Sequence, residues 1–172
     1  MVFDGERFHR PLCPAGILSL RKRAGAVLLA ALTLVASACS MATKVRSMFG
    51  GDLPFYVVVM PEANENSAVA VDAVVVYNQN VLDQIMKLRA SEWFAKKKQF
   101  MNDHRGDIDV QAWEWIPDQV VPEQNIAYRA GARKVVLFAD YASEGEHRAA
   151  LDPQQRFRLV LDTLDLNVKV IQ

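Results

Sequence analysis

Short runs of β-branched and aromatic residues, separated by turn-forming residues, dominate the chain from Leu53 onward. Such runs are typical of strands, because branched and aromatic side chains pack well on a pleated surface. The pattern predicts eight strands, over residues 53–60, 69–77, 108–116, 124–129, 133–141, 147–151, 156–161 and 166–171. Eight strands at this spacing favour a β-sandwich and leave no room for repeated βαβ units.

Between the second and third strands, the apolar positions follow the spacing of a helix. Leu82, Ile85 and Met86 share one helical face, and Trp93 opens a second apolar stripe. This spacing predicts two short helices, over 80–88 and 91–103, with Asn80 and Ser91 as their N-caps. We therefore expect a mostly β domain over 53–172, a β-sandwich with a small inserted helical appendage at 80–103.

The first 38 residues have the layout of an export signal. A basic cluster at 21–23 precedes fifteen uncharged residues, 12 of them apolar, and small residues then lead to Cys39. Fifteen helical residues span about 22 Å, less than the roughly 30 Å hydrocarbon core, so a signal peptide fits better than a permanent membrane span. The segment 36–39 (ASAC) resembles the lipobox of bacterial lipoproteins, whose cysteine is acylated and becomes the N-terminus. An ordinary secretory signal with a chance cysteine is the alternative.

This interpretation divides the chain into a signal peptide (1–38), a lipidated tether (39–52) that ends near Gly50 and Gly51, and the sandwich domain (53–172). Residues 1–20 are more than a signal requires, which suggests a start codon assigned too far upstream. Ser40 follows the cysteine where an Asp would retain a lipoprotein in the inner membrane. We therefore expect an outer-membrane location, facing the periplasm.

Charge and cysteine content argue against a general nucleic-acid-binding protein and against a disulfide-stabilised domain. The chain has 20 Lys+Arg and 20 Asp+Glu, and removal of residues 1–38 leaves 15 basic and 18 acidic side chains, a net charge of −3. An acidic domain is a poor general binder of nucleic acid, which needs cations to neutralise phosphates. Cys13 leaves with the signal and Cys39 carries the lipid, so no disulfide is expected and stability must come from the core.

The mature chain has no recognisable catalytic or metal motif. It lacks G-x-S-x-G, H-E-x-x-H and a Gly-rich phosphate loop, and its histidines are His104 and His147. The acidic turn 103–109 departs from the spacing of a calcium loop, so a helix-to-strand turn is favoured over a metal site. His147 with Arg148 is interpreted as a polar pair at a strand edge, because no motif places a nucleophile beside it. We expect no enzymatic activity, no metal, no small-molecule substrate and no cofactor beyond the lipid on Cys39.

Two further surface features have an ordinary interpretation. Trp93, Trp113 and Trp115 could form a stacking platform for sugars or peptides, but large aromatics in this pattern more often fill a core. The lysine run 96–98 could touch anionic lipid, but a solvated helix face is favoured.

The order of these segments resembles the TssJ (SciN-type) outer-membrane lipoproteins of the type VI secretion system. The resemblance covers residues 53–171. The second strand of that family ends in a V-R-[VI]-Y-Q-L-like segment, matched in part by residues 74–79 (VVVYNQ). Trp93 with Phe94 matches an aromatic pair of the helical insert, and Pro117 with Asp118 stands where Pro-Gly is usual. Later motifs are matched by residues 139–141 and by His147 with Arg148, where the family often has Trp in place of the histidine.

The resemblance implies a transthyretin-like two-sheet sandwich that binds the periplasmic C-terminal part of the inner-membrane protein TssM. In the family, the loop between the first two strands contacts the partner, and here it contains Glu62, Ala63, Asn64, Glu65, Asn66 and Ser67. The residues themselves allow such a role, since an exposed loop on a rigid sandwich can offer charge and hydrogen bonds. A plain solvated loop is the alternative. A lipoprotein chaperone or pilotin of another envelope complex, or an envelope hydrolase, are the other functions considered.

Overall fold

The computed structural model describes residues 49–171, and the predicted signal peptide and Cys39 lie outside this range. Its strands are β1 (Gly51–Val59), β2 (Val69–Val76), β3 (Ile108–Trp115), β4 (Gln124–Tyr128), β5 (Lys134–Asp140), β6 (Arg148–Leu151), β7 (Phe157–Leu161) and β8 (Leu166–Val170). Two helices, α1 (Gln79–Ile85) and α2 (Ala90–Asp103), lie between β2 and β3. Within these residues, no helix combines the length and apolar character needed to cross a membrane.

The strands form two four-stranded sheets. Sheet A has the order β4-β1-β7-β8 and sheet B the order β3-β2-β5-β6. The neighbouring strands of both sheets are antiparallel except for β1 and β7, which are parallel. The predicted mostly β, two-sheet β-sandwich with an inserted helical appendage is confirmed.

The core between the sheets follows from the alternation along the strands. In β1, Leu53, Phe55, Val57 and Val59 are buried and alternate with more exposed residues. Phe55 stacks on Phe157 of β7 at 4.9 Å between ring centroids. Because successive side chains point to opposite faces of a strand, one face of sheet A covers this core, and among residues 49–171 no helix covers the other.

Sheet B is covered on both faces, because the helices pack on its outer side. Almost every residue of β2 is therefore buried, unlike those of β1. Trp93 of α2 stacks on Phe138 of β5 at 5.2 Å between ring centroids. Trp93 and Trp115 are buried and Trp113 packs against the core from its margin, so the predicted core role of the tryptophans is confirmed.

A buried carboxylate ties α2 to sheet B. Asp72 of β2 is 1% exposed, and its carboxylate accepts a hydrogen bond of 2.8 Å from the indole N–H of Trp93. The ammonium of Lys97, one helical turn further along, lies 3.0 Å from the same carboxylate. A buried charge requires such partners, so this contact fixes where the helix sits on the sheet.

The helix caps differ from the prediction. The side chain of Asn78, and not that of Asn80, caps α1 by accepting a hydrogen bond of 2.9 Å from the backbone N–H of Asn80. Helix α2 begins at Ala90, and the carboxylate of Glu92 accepts a bond of 3.0 Å from the backbone N–H of Arg89. Ser91 is thus inside the helix, because the acidic side chain satisfies the free backbone donor at its start.

Candidate functional site: the loop end of the sandwich

Three loops meet at one end of the sandwich, which we call the loop end: residues 60–68 between β1 and β2, 141–147 between β5 and β6, and 162–165 between β7 and β8. The topology brings them together. The parallel strands β1 and β7 both finish there, with Val59 opposite Leu161. β5 also finishes there, with Asp140 opposite Ala70 at the start of β2.

The first loop contains a short left-handed turn. The φ angles of Asn64, Glu65 and Asn66 are 48°, 54° and 66°, in the region that glycine favours. This conformation costs ordinary L-residues roughly 1–2 kcal/mol each, although asparagine tolerates it better than most. Three such residues in succession persist only where surrounding contacts hold them, and such backbone is concentrated at functional sites.

The contacts that hold the turn centre on Asn64. Its Oδ1 accepts a hydrogen bond of 2.8 Å from the backbone N–H of Ala142, and its Nδ2 donates one of 2.8 Å to the carbonyl of Ala68. The backbone N–H groups of Asn64 and Glu65 donate to the carbonyls of Asp162 and Thr163, at 3.2 and 3.3 Å. The first loop is therefore bonded to both of the others, and the loop end forms one platform.

These contacts divide the six residues predicted to bind a partner into two groups. Ala63 is fully buried and Asn64 is 6% exposed, so both face the protein. The expectation that the Asn64 side chain offers hydrogen bonds outward is wrong, because both of its polar groups are used internally. The other four of the six, Glu62, Glu65, Asn66 and Ser67, are exposed.

His147 joins the other two loops. It is 5% exposed, with Nδ1 2.9 Å from the carboxylate of Asp165 and Nε2 2.9 Å from the carbonyl of Ser143. A Cβ atom at Gly145 would lie 2.5 Å from the imidazole ring, so only glycine fits there. His147 directly precedes the edge strand β6, as predicted, but its side chain is buried and bonds to Asp165 and Ser143, whereas Arg148 pairs with Glu146. The predicted pairing of the two side chains is therefore wrong. The sequence gives no sign of the distant carboxylate at Asp165.

Tyr141 also bonds to the 162–165 loop, from beneath the loop end. Its hydroxyl donates a hydrogen bond of 3.0 Å to the backbone carbonyl of Asp165. Burial, followed by the negative charge of Asp165, raises the pKa of Tyr141 well above its usual value. The phenol therefore stays neutral and acts as a donor that secures the 162–165 turn.

Ser143, His147 and Asp165 have the composition of a hydrolytic triad but not its geometry. The hydroxyl oxygen of Ser143 is 3.5 Å from Nε2 of His147, beyond the distance expected between a nucleophile and its base. That hydroxyl instead donates a hydrogen bond of 2.7 Å to the carbonyl of Leu164. Nε2 instead lies 2.9 Å from the backbone carbonyl oxygen of Ser143, so the imidazole is held between the two loops and is not directed at the hydroxyl. The arrangement is suited to fixing loops.

The loop end has a one-sided charge. Its three loops contain no Lys or Arg and six carboxylates: Glu62, Glu65, Glu144, Glu146, Asp162 and Asp165. Glu146 pairs with Arg148 at 2.9 Å, and Asp165 pairs with His147. Glu62, Glu65 and Glu144 form no ion pair with any described residue, so the surface presents uncompensated negative charge.

The acidic turn 103–109 does not bring its carboxylates together. Asp103 accepts a hydrogen bond from Gln99, whereas Asp107 accepts one from Asn78. Asp109 accepts hydrogen bonds of 2.8 Å from Tyr77 and 2.9 Å from Arg129. Within residues 49–171, no three His, Cys, Asp or Glu side chains are grouped closely enough to hold a metal ion.

The fold and the loop end define a β-sandwich with an ordered set of loops at one end. Solved structures of type VI secretion components share this fold. The lipoprotein TssJ1 from Pseudomonas aeruginosa is 12% identical with a TM-score of 0.53, and the match covers 72% of this chain and 98% of that one. Lip from Serratia marcescens, a membrane-bound component of the same system, is 10% identical with a TM-score of 0.55, covering 72% and 97%. A chain of a type VI membrane complex is 12% identical with a TM-score of 0.50, covering 69% and 97%.

No protein-family model matches the chain, and no curated protein matches its sequence significantly. At identities of 10–12%, the structural matches show the fold alone. The resemblance to TssJ-type lipoproteins that the sequence suggested is confirmed at that level.

Proposed function

We propose that this protein is a lipid-anchored, non-enzymatic component of a type VI secretion membrane complex, located in the outer membrane on its periplasmic face. Lipid on Cys39 holds one end of the protein in the membrane. The loop end binds the periplasmic C-terminal part of a TssM-like inner-membrane protein. The observation that carries this proposal is the left-handed turn of loop 60–68, held in one conformation by two other loops on a fold shared with TssJ-type lipoproteins.

The geometry of the loop supports a role in binding. Ala63 and Asn64 face inward and fix the backbone, and this leaves Glu62, Glu65, Asn66 and Ser67 exposed on a rigid base. A surface ordered before contact loses little conformational entropy on binding, and this favours affinity. The unpaired carboxylates of Glu62 and Glu65 would steer a basic partner surface towards the loop.

The position of the tether supports anchoring at the opposite end. β1 begins at Gly51 and runs towards the loop end, so a chain that enters from Cys39 joins the domain away from the proposed contact. The twelve residues 39–50 reach at most about 40 Å when fully extended. Stable anchoring needs more than one acyl chain, as a bacterial lipoprotein cysteine provides.

The anchor can be tested in cells by replacing Cys39 with serine. We expect the native protein to incorporate labelled palmitate and to fractionate with the outer membrane, and Cys39→Ser to lose both properties. A native protein that remains in the soluble periplasmic fraction would contradict the anchor.

A further inference from the structure

The outer face of sheet A carries apolar and aromatic side chains although it is not covered by the helices. Tyr56 and Val58 of β1 are 39% and 40% exposed on this face. The register places Val160 of β7 directly beside Val58. A sheet face that no helix covers is usually polar, so these apolar side chains in the two central strands require another explanation.

Cations surround this apolar stripe. The register places Arg158 beside Tyr56, and Lys169 of β8 beside Arg158. Neither Arg158 nor Lys169 forms an ion pair within the described residues. Arg156 pairs with Glu123 at 3.0 Å and also lies 3.4 Å from the hydroxyl of Tyr56. Asp52 of β1 is also exposed on this face, four residues before Tyr56. The cations still exceed the carboxylates, so the face has a small excess of positive charge although the mature chain has a net charge of −3.

This combination fits the interface of an anionic bilayer. Lys and Arg attract acidic headgroups, tyrosine sits at the level of the headgroups, and small apolar side chains enter the boundary below them. The place of the tether favours the same occupant. β1 follows directly from residues 39–50 and carries Tyr56 and Val58, so a lipid on Cys39 would keep this face within reach of the membrane.

We propose that the outer face of sheet A docks on anionic phospholipid headgroups, with Arg158 and Lys169 at the phosphates and Tyr56 and Val58 at the interface. This docking rests on the proposed lipid anchor, because one anchored chain raises the local concentration of the membrane at the face. It adds an orientation to the anchor, since the sandwich then lies on its sheet and does not swing freely from its tether.

The test uses the lipidated mature protein with a fluorophore on Asn167→Cys, which is on the outer face of sheet A beside Val160. The protein is reconstituted in phosphatidylcholine vesicles that carry a headgroup spin label, with or without phosphatidylglycerol. We expect strong quenching only when phosphatidylglycerol is present. The same fluorophore on Gln99→Cys, on helix α2, should be quenched in neither vesicle.

Removing charge from the face measures how much its cations contribute to docking. Each cation near an anionic surface contributes roughly a fivefold preference, so Arg158→Gln with Lys169→Gln should lower the ratio of docked to undocked protein roughly 25-fold. Lys96→Gln with Lys98→Gln removes the same charge from α2 and should leave the quenching unchanged. Circular dichroism and thermal melting confirm that each variant folds.

Other outcomes would overturn the proposal. Quenching at position 167 that is absent, or equal in both kinds of vesicle, excludes docking on anionic lipid. Energy transfer between labelled copies that does not depend on lipid would assign the face to a second copy of the chain. Failure of the anchor is recognised separately, because the protein would not float with phosphatidylcholine vesicles. The phosphatidylglycerol vesicles would then still report the affinity of the face itself.

Discussion

The Asn64 side chain provides the most direct test of how the loop end is held. Asn64→Ala removes two partly buried hydrogen bonds, each 2.8 Å long, to Ala142 and Ala68. A bond of this kind contributes about 1–1.5 kcal/mol net to stability. Alanine must also adopt the left-handed conformation, at a cost of about 1 kcal/mol. We expect the free energy of unfolding to fall by about 3–4 kcal/mol.

Asn66→Ala is the matched control. Asn66 has a φ of 66° but is exposed, and its side chain forms no hydrogen bond within the described residues. This variant should lose only the conformational contribution, about 1 kcal/mol. Urea unfolding of both variants therefore isolates the two bonds as a difference of about 2–3 kcal/mol. Losses within about 0.5 kcal/mol of each other, the usual limit of additivity, would refute the reasoning that Asn64 fixes the platform.

Two further predictions concern contacts away from the loop end. Asp72→Ala should lower the free energy of unfolding by about 2–3 kcal/mol, because it leaves the buried indole N–H of Trp93 without its acceptor. Asp140→Ala removes an exposed carboxylate and should change this free energy little. Equal losses in the two variants would contradict the role of Asp72 in holding α2 on the sheet. Burial alone raises the pKa of Asp109, but hydrogen bonds from Arg129 and Tyr77 outweigh it and hold that pKa below its usual range. A carboxyl with a lowered pKa stabilises the fold above about pH 4 and loses this effect as the pH falls through the lowered pKa. The stability difference between the native protein and Asp109→Asn should therefore shrink from pH 7 to pH 3, and a difference independent of pH would count against the prediction.

The local elements could be predicted from the sequence because each strand is a distinct apolar run between turn formers. The eight strands lie within two residues of the predicted bounds at each end. Both helices begin within one residue of the predicted start, but their N-caps were predicted wrongly, because Asn78 and Asn80 are equally good caps by residue type and only the local geometry chooses between them. The parallel pairing of β1 with β7 has no local signal, since these strands are about a hundred residues apart.

The position of the candidate site could be predicted from the sequence, but the contacts that hold its loops could not. The turn formers of loop 60–68 suggest an exposed connection, yet the inward direction of Asn64 depends on Ala142, a residue far along the chain. The same holds for His147, whose partner Asp165 lies in the turn between β7 and β8 of the other sheet. Asp118, which stands where the TssJ-type pattern has glycine, has a φ of 60° in this chain, a conformation that glycine favours. Aspartate tolerates this conformation better than most residues.

The central claim is that the loop end is the surface that binds the TssM-like partner. The measurement is the affinity of the mature chain for the periplasmic C-terminal part of that partner, by isothermal titration calorimetry. Glu62→Lys with Glu65→Lys reverses two exposed charges at the loop end. Asp52→Lys with Asp103→Lys makes the same change in net charge away from it. We expect the first pair to weaken binding at least about tenfold, or roughly 1.4 kcal/mol, and the second pair to leave it unchanged, with both variants folded. Equal affinity of the native protein and the Glu62, Glu65 variant for the partner would show that the loop end is not the binding surface.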